Sequence, residues 1–544
     1  MSWIAQPLGP ALILIFGALA LVLIRSLGWH RVALWWVLAV NLAALTAWLL
    51  LRLPTAILLV GRDWSSALLY EPGGLTWQVI PWTWGGVGIV LLLSLSASLV
   101  GWDEEGRLGL LLRATDLTVA GVATAVLFAG NMLTLASMWI LMESAALLRL
   151  MLEPEGRAET GRVSLAAASS LMIALACVLA GPELLTSPLT SARLSALSQA
   201  CVLLAIALRA AAFPFHGWLL HARLVHIASR LSVYLVPAMT GLWLLGVVNS
   251  WTGMAWWGGV QWLILLSVAL LGSAIAAWAD HDPDTSLDLV YANRSALILL
   301  TVALWAGSGP LPLVGWLISF GLGLALLWVA DPVYREGGGR WPAALAILTL
   351  AGFPLTAGFL SIVWLARLAP PSGHALIWAL VAISDGLILA TMWQRWTASA
   401  PRPPQQMTGR EARLLSVTVL LSVPLLFAAL RPAGVTAMVG AGAGAPGLLA
   451  LLAGARAAVW AHLLLAVAIA LWLTYNVRHL TPEWRPLLRR LVWLARLDWM
   501  YGAILVMGRA VALTWRGILE ILEGEGYLGW VIVTVLILWV ASRL

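Results

Sequence analysis

Two charged side chains, an acid and a base, stand in apolar stretches of this 544-residue chain. Glu143 is the only acid in residues 131–152, and Arg209 lies five residues before Pro214 in residues 205–219. A charge at the centre of a bilayer costs roughly 2.5–3.5 kcal/mol, so an acid and a base on two such stretches predict a buried ion pair. Arginine stays protonated at any working pH. If the pair takes part in proton transfer, Glu143 would therefore bind and release the proton, and Arg209 would favour the ionised form of Glu143.

Other titratable side chains lie near this pair and in the second half of the chain. His216, His221 and His226 are five residues apart, whereas ligands on one face of a helix are three or four apart, so no metal site is predicted. His216 is expected to cap or polarise the break at Pro214. Asp385 lies deep in a later apolar run. It is either part of an ion path or the partner of a hydroxyl or backbone group on a neighbouring helix.

The composition predicts a polytopic membrane protein. The chain is 62% hydrophobic and 10% charged, and about sixteen apolar runs reach the length of roughly 20 residues that crosses a bilayer. The net charge of +7 comes from arginine alone, and it indicates membrane topology rather than a nucleic-acid surface. Cys177 and Cys201 lie in apolar runs and are expected to be free. We find no nucleotide-binding or catalytic motif, so no active site, metal or cofactor of its own is expected.

The distribution of arginine predicts the orientation of the chain. The odd-numbered loops hold most of the arginines, with Arg113 and Arg149 counted among them. By the positive-inside rule these loops face the cytoplasm and both termini lie outside. The start of the chain shows no pattern of a cleavable signal peptide. The expected location is an inner, cytoplasmic membrane of prokaryotic type.

Two apolar runs are interrupted by proline. Pro214 lies in FPFHGWL and Pro354 in LAGFPLTAGF, five predicted spans further on. Because five is an odd number, the two broken helices would enter the membrane from opposite sides, as in an inverted repeat around a transport path. The alternative is a pair of ordinary proline kinks.

The predicted organisation of the chain follows from these breaks and from the composition of the tail. It consists of N-terminal helices 1–108, a first repeat 109–250, a second repeat 251–398, further core helices 399–480 and a tail 481–544.

The tail differs from the rest of the chain. From Pro482 to Glu525, arginine, tryptophan and leucine recur at helical spacing. This pattern predicts one long amphipathic helix on the cytoplasmic interface, followed by a last span centred near Val533. The alternative is a short amphipathic loop followed by a hairpin that dips into the membrane.

The runs around the two breaks resemble the antiporter-like membrane subunits of respiratory complex I, the NADH:quinone oxidoreductase, which also occur in membrane-bound hydrogenases and Mrp cation/proton antiporters. Glu143 in WILMESA matches the glutamate of that family's fifth helix. Arg209 stands where its seventh helix has a lysine, and His216 and Trp218 match the HxW that follows. The resemblance implies an all-α fold with a fourteen-helix core of two inverted five-helix repeats. A fifteenth helix, a lateral helix and an anchoring helix would complete it.

The chain departs from that family in its lysines, because it has none. The eighth-helix lysine would fall near Met239 and the twelfth-helix lysine on Ile362, while the eleventh span, 317–330, has no ionisable residue. A weaker match, DTSLDLVYANRS, keeps Asp284 and Tyr291 of the start of the tenth helix but lacks its basic pair. The central lysine axis of the family is therefore expected to be missing.

The resemblance implies a membrane-arm subunit of a complex I-like, hydrogenase-like or Mrp-like assembly that translocates protons or cations. Its partners would be other membrane subunits and the lipid bilayer, and its ion-path residues Glu143, Arg209, His216 and Asp385. The missing lysines favour an alternative, a non-conducting scaffold with the same fold. A stand-alone transporter is a third possibility, and such a protein would purify without partner subunits.

Overall fold

Helices make up nearly all of the part of the chain that the structure describes. The computed structural model describes residues 6–51, 57–60, 74–103, 106–153, 160–191, 193–219, 226–251, 254–280, 282–306, 311–335, 339–368, 374–398, 409–440, 447–476, 484–523, 531–532, 534–536 and 538. Within these ranges, thirteen helices are long and apolar enough to cross a membrane, and three shorter apolar helices accompany them. The chain is therefore an all-α integral membrane protein, as predicted.

The first half of the described chain contains α1 (Gly9–Ser26), α2 (His30–Leu50), α3 (Pro81–Val100), α4 (Gly106–Leu127), α5 (Met132–Leu152), α6 (Thr160–Ala180), α7 (Pro182–Leu185), α8 (Ala196–Arg209), α9 (Ile227–Ser229) and α10 (Val236–Val248). The first two, α1 and α2, are peripheral spans. Between α2 and α3 the strands β1 (Ile57–Val60) and β2 (Leu75–Gln78) form an antiparallel hairpin.

The second half and the tail contain the remaining helices. They are α11 (Val260–Ala279), α12 (Pro283–Leu304), α13 (Val314–Ile318), α14 (Leu324–Arg335), α15 (Trp341–Leu350), α16 (Phe359–Leu365), α17 (Ala375–Ala398), α18 (Gly409–Leu430), α19 (Pro432–Met438), α20 (Leu448–Ala453), α21 (Ala457–Asn476), α22 (Trp484–Arg496) and α23 (Asp498–Glu523).

The core lies around three central spans, Ile227–Val248, Asp284–Leu304 and Leu311–Ala330, which are buried along nearly all of their length. By contrast, only about a third of each of α1, α2 and α21 is buried against other helices. Two of the central spans contain a turn of π-helix, at Arg230–Leu235 and Ser319–Gly323. Such turns are rare in α-helices and are frequent at functional sites.

Reciprocal tryptophan pairs join α3 to the central span Ile227–Val248 on one side and to α2 on the other. Trp82 on α3 and Trp243 on α10 each donate from the indole nitrogen to the other's carbonyl oxygen, at 2.7 and 2.6 Å. Trp84 and Trp48 on α2 exchange the same two bonds, at 3.0 and 2.8 Å. The rings of each pair stack. These pairs therefore satisfy four indole N–H donors inside an apolar bundle.

The apolar runs that contain Pro214 and Pro354 both form broken helices, and the two breaks begin in the same way. α8 ends at Arg209 and α15 ends at Leu350. Two residues later the backbone is left-handed in each case, with φ of 50° at Ala211 and 69° at Gly352. This is the geometry that commonly ends a helix. The first of these helices ends in a charged residue, Arg209, whereas the second ends in an apolar residue, Leu350. The inverted repeat itself stays a prediction.

The tail contains two helices where the sequence predicts one. Leu497 has a left-handed backbone, with φ of 54°, and this conformation ends α22 before α23 begins at Asp498. The span Val492–Gly517 is long and apolar enough to cross a membrane, so the lateral placement of the tail stays a prediction. Most of the last predicted span, near Val533, lies outside the described residues. The chain divides into two compact units, Met1–Val492 and Trp493–Leu544.

Candidate functional site

The acid and base singled out in the sequence contact each other. Nε of Arg209, the last residue of α8, lies 2.9 Å from Oε1 of Glu143 in the middle of α5. The two side chains are 1% and 4% exposed. Ser169 on α6 also interacts with the carboxylate. The structure thus forms the predicted ion pair, and the pair's role in ion translocation stays a prediction.

Arg209 has further partners besides the carboxylate. Its Nη2 donates to the carbonyl oxygen of Val233 in the π turn of the central span. Its guanidinium lies 5.1 Å from the centre of the Trp218 ring, a distance at which a cation is attracted to the ring face. As the last residue of α8, it also lies at the negative end of that helix. These contacts stabilise the arginine cation in addition to its contact with Glu143.

His216 lies in the short turn that follows the first break, at Phe215–Trp218. Its side chain is fully buried and its ring stacks on Phe213, with the ring centres 5.1 Å apart. The position fits a residue that shapes the broken segment. Of the other histidines, His226 precedes α9 and its Nδ1 accepts a hydrogen bond from the amide of Ala228, while His221 lies outside the described residues.

Asp385 belongs to a second buried cluster, which the sequence did not predict. Its Oδ1 is 2.6 Å from Nη1 of Arg294 on α12, and its Oδ2 is 2.9 Å from Nε2 of His462 on α21. All three side chains are at most 3% exposed. The partners of Asp385 are therefore an arginine and a histidine, rather than the hydroxyl or backbone group considered above. The sequence did contain a signal for this cluster, because His462 is the one ionisable side chain in the apolar run 457–474.

The helix α12 connects the two clusters. On one side of Arg294, Asn293 donates to the hydroxyl of Ser384, the neighbour of Asp385, at 2.9 Å. On the other side, the hydroxyl of Ser295 donates to the carbonyl oxygen of Ala210, the neighbour of Arg209, at 2.6 Å. A continuous chain of polar contacts and backbone therefore runs from the first cluster to the second.

A third buried cluster lies at the end of α5. The guanidinium of Arg149 is 2.8 Å from Asp116 on α4 and 3.0 Å from Glu153. The hydroxyls of Ser232 and Ser229, on the central span, donate to the same two carboxylates at 2.5 Å. Arg149 is fully buried within α5, so its assignment to a loop was wrong, and the membrane orientation stays a prediction. The sequence placed it in a loop because it lies near the end of its apolar run.

Arg113 is likewise buried, on α4, and its guanidinium donates to the carbonyl oxygens of Gly101 and Trp102 at 2.9 and 2.8 Å. Its inclusion among the loop arginines was also wrong.

A further buried charge, Asp288, lies on α12, and neither of its carboxylate oxygens has a hydrogen-bond partner among the described residues. Arg230 of the π turn attracts it electrostatically.

The positions where the resembled family has lysines are packed with apolar groups. Met239 and Ile362 are fully buried. A Cβ atom placed on Gly321, in the second π turn, would lie 2.9 Å from the sulfur of Met239, so that sulfur lies almost against the turn. A Cβ atom on Gly352 would lie 2.5 Å from Ile362. Buried charges lie elsewhere in the described chain, in the clusters around Arg209, Arg149 and Asp385.

Replacing Gly386 by alanine is expected to separate α17 from α21 and lower the stability of the protein. The added Cβ would lie 2.8 Å from Cβ of Ile469 and 2.9 Å from the carbonyl oxygen of Ala466. Overpacking of this kind costs typically about 1–3 kcal/mol, which thermal unfolding of the purified protein would detect. Gly272→Ala on α11 is the control, because its Cβ meets no atom within 4 Å. Equal unfolding midpoints for the two variants would contradict the close approach of the helices.

Comparison with known proteins places this arrangement in a known fold. No protein-family model and no curated protein matches the chain. A solved structure of the Mrp complex from Dietzia sp. DQ12-45-1b matches with a TM-score of 0.71 and 18% identity, over 99% of this chain and 62% of that chain. The chain has the fold of the antiporter-like membrane subunits. It spans less than two thirds of the length of that Mrp chain.

A second solved structure also has the same fold as this chain. The membrane-bound sulfane sulfur reductase, an archaeal respiratory membrane complex, matches with a TM-score of 0.67 and 16% identity, over 98% of this chain and 99% of that chain. The resemblance inferred from the residues around the two breaks is therefore confirmed at the level of the fold.

Proposed function

We propose that this chain is a subunit of a multi-subunit membrane complex and translocates protons or other cations. The observation that carries the proposal is the buried Glu143–Arg209 pair at the broken end of α8. Two structures with the same fold, the Mrp complex and the sulfane sulfur reductase, are membrane complexes. We propose that the cation is the proton and that its movement is coupled to electron transport carried out by partner subunits. The cytoplasmic membrane and exterior termini remain part of this proposal.

The contacts of Arg209 support a switching role for the pair. Arginine keeps its charge at any accessible pH, so the proton must reside on Glu143. When Glu143 is ionised, the guanidinium pairs with it; when Glu143 binds a proton, the cation is still held by the Val233 carbonyl and the Trp218 ring. Each protonation state of the glutamate therefore leaves the arginine with partners. That arrangement lowers the cost of cycling between the two states inside the membrane.

The alternative is a non-conducting scaffold with the same fold. The apolar packing of Met239 and Ile362 favours it, because these side chains occupy the lysine positions of the resembled family. Against it stand the buried Glu143–Arg209 and Arg294–Asp385 pairs, since ionisable side chains within membrane spans are costly and commonly mark ion paths. The two functions differ in a single measurable property, the flux of protons that depends on Glu143.

The decisive experiment replaces Glu143 by glutamine in the complete native complex, reconstituted in liposomes. Glutamine keeps the size of the side chain but cannot hold or release a proton. We expect proton uptake to fall to the level of the leak through protein-free liposomes. Uptake would be followed with a pH-sensitive dye and normalised to the amount of assembled complex.

Ser137→Ala is the matched control, since Ser137 lies on the same helix and only donates to the carbonyl of Leu133. It should pump like the unaltered complex. Full proton uptake by an assembled Glu143→Gln complex would overturn the proposed role of the pair and favour the scaffold.

A further inference from the structure

The second buried cluster has the chemistry of a proton carrier. Arg294 and Asp385 form a buried ion pair of opposite charge, and the ring of His462 adds a group that is neutral or positive. A histidine ring can bind a proton at one nitrogen while its other nitrogen donates a hydrogen bond. The cluster therefore holds no net charge with a neutral His462 and one positive charge after His462 binds a proton.

The geometry assigns the two ring nitrogens of His462 different roles. Because Arg294 keeps Asp385 ionised, Oδ2 of Asp385 must accept a hydrogen bond, and the nitrogen facing it, Nε2, must carry the hydrogen. Nδ1 then has a lone pair, and it has no hydrogen-bond partner among the described residues. A proton that arrives at Nδ1 forms an N–H bond and gives an imidazolium, which Asp385 stabilises. The proton leaves when the same bond breaks.

We propose that Arg294, Asp385 and His462 form a second proton-carrying site, in which Nδ1 of His462 takes up and releases the proton. This inference rests on the proposed function, and it assigns α21 a part in translocation. Asp385 orients the ring and Arg294 holds Asp385 ionised, so both are positioning residues.

Few other charges among the described residues act on His462. From α17 it meets Asp385 and the edge of the Trp378 ring, 6.0 Å away between ring centres. The short helix Ala366–Leu368, which also packs on α21, contains Arg367, whose guanidinium lies 3.8 Å from the centre of the Trp364 ring. The helix α11, packed against α17, has no ionisable side chain. The charge balance at the ring is therefore set by Arg294 and Asp385.

The site is physically joined to the Glu143–Arg209 pair. Arg294 lies between Asn293, which bonds Ser384 at the second cluster, and Ser295, which bonds Ala210 at the first. A displacement of α8 at its broken end would pull on α12 through Ser295 and so alter the contact of Arg294 with Asp385. The connection offers a route by which the protonation of one cluster biases the other.

His462→Gln tests the inference in the complete complex. The amide of glutamine can still donate to Asp385, but it cannot bind a proton at any working pH. In liposomes, we expect the rate of proton uptake to fall and to lose the part of its pH dependence that His462 contributes. His374→Gln is the control, since His374 lies outside the cluster at the start of α17, and it should keep the unaltered profile.

A second measurement does not depend on transport. The infrared difference spectrum of the purified complex between high and low pH contains imidazole bands, and one set should vanish in His462→Gln but persist in His374→Gln. His462→Asn gives the same readout if the glutamine variant does not assemble. An unchanged pH profile together with unchanged imidazole bands would overturn the proposed site.

The two measurements also separate this inference from the proposed function. If the unaltered complex and Glu143→Gln both fail to move protons, the proposed function is wrong, and the infrared bands alone decide whether His462 binds a proton. If Glu143→Gln stops uptake while His462→Gln changes neither the pH profile nor the bands, the proposed function stands and the second site is rejected.

Discussion

Replacing Arg149 by methionine is expected to destabilise the protein by about 3–5 kcal/mol, the cost of leaving a buried charge without its partner. Arg149 is fully buried and contacts both Asp116 and Glu153, so its removal leaves two buried carboxylates without that cation. The two serine hydroxyls that bond these carboxylates cannot neutralise them. Unfolding of the detergent-purified protein, followed by helix content against denaturant, measures the loss.

The chain offers a matched control for this prediction. Arg516 and Glu520 form an ion pair with the same spacing of four residues as Arg149 and Glu153, but on an exposed helix surface. Arg516→Met is expected to cost at most about 0.5 kcal/mol, because exposed ion pairs contribute little to stability. The triple variant Arg149→Met, Asp116→Asn, Glu153→Gln should recover most of the stability. Equal losses from Arg149→Met and Arg516→Met would show that burial does not govern the cluster.

The second large effect concerns the pair at the first break. Glu143→Gln alone is expected to lower stability by about 3 kcal/mol, toward the low end of the range for broken buried pairs. The low end applies because Arg209 keeps the Val233 carbonyl and the Trp218 ring. The double variant Glu143→Gln, Arg209→Gln removes both charges and should unfold near the midpoint of the unaltered protein. The measurement is a double-mutant cycle of unfolding free energies.

The double variant also separates folding from transport. It should assemble normally yet move no protons, since neither glutamine titrates. Additive losses from the two single substitutions, with no recovery in the double variant, would mean that the 2.9 Å contact contributes no coupling energy.

The Glu143–Arg209 pair could be predicted because each charge stands in a run of apolar residues, where an unpaired charge is too costly. The breaks could be predicted for a similar reason: proline removes a backbone donor, and Ala–Ala or Ala–Gly precedes it where the helix must end. In both cases the signal is local, and the membrane environment makes one outcome much cheaper than the others.

The second cluster could not be predicted in the same way. Arg294 lies in a polar stretch with Asp284 and Asp288, so its sequence neighbourhood resembles the start of a span, although it lies midway along α12. Its contact with Asp385 depends on how α12, α17 and α21 pack, and that packing depends on small residues such as Gly386. The loop assignment of Arg149 failed similarly, because the depth of a residue near a helix end is set by its tertiary contacts.

The π turn at Arg230–Leu235 gives the central span one residue more than a regular helix of its length would hold. If this extra residue moves along by one turn, the segment between the old and new positions rotates by about 100° and advances by about 1.5 Å, while both helix ends stay in place. Arg209 and Tyr291 bond successive carbonyl oxygens of this turn, those of Val233 and Tyr234. A register step of a single residue would therefore exchange the acceptors of both side chains at once.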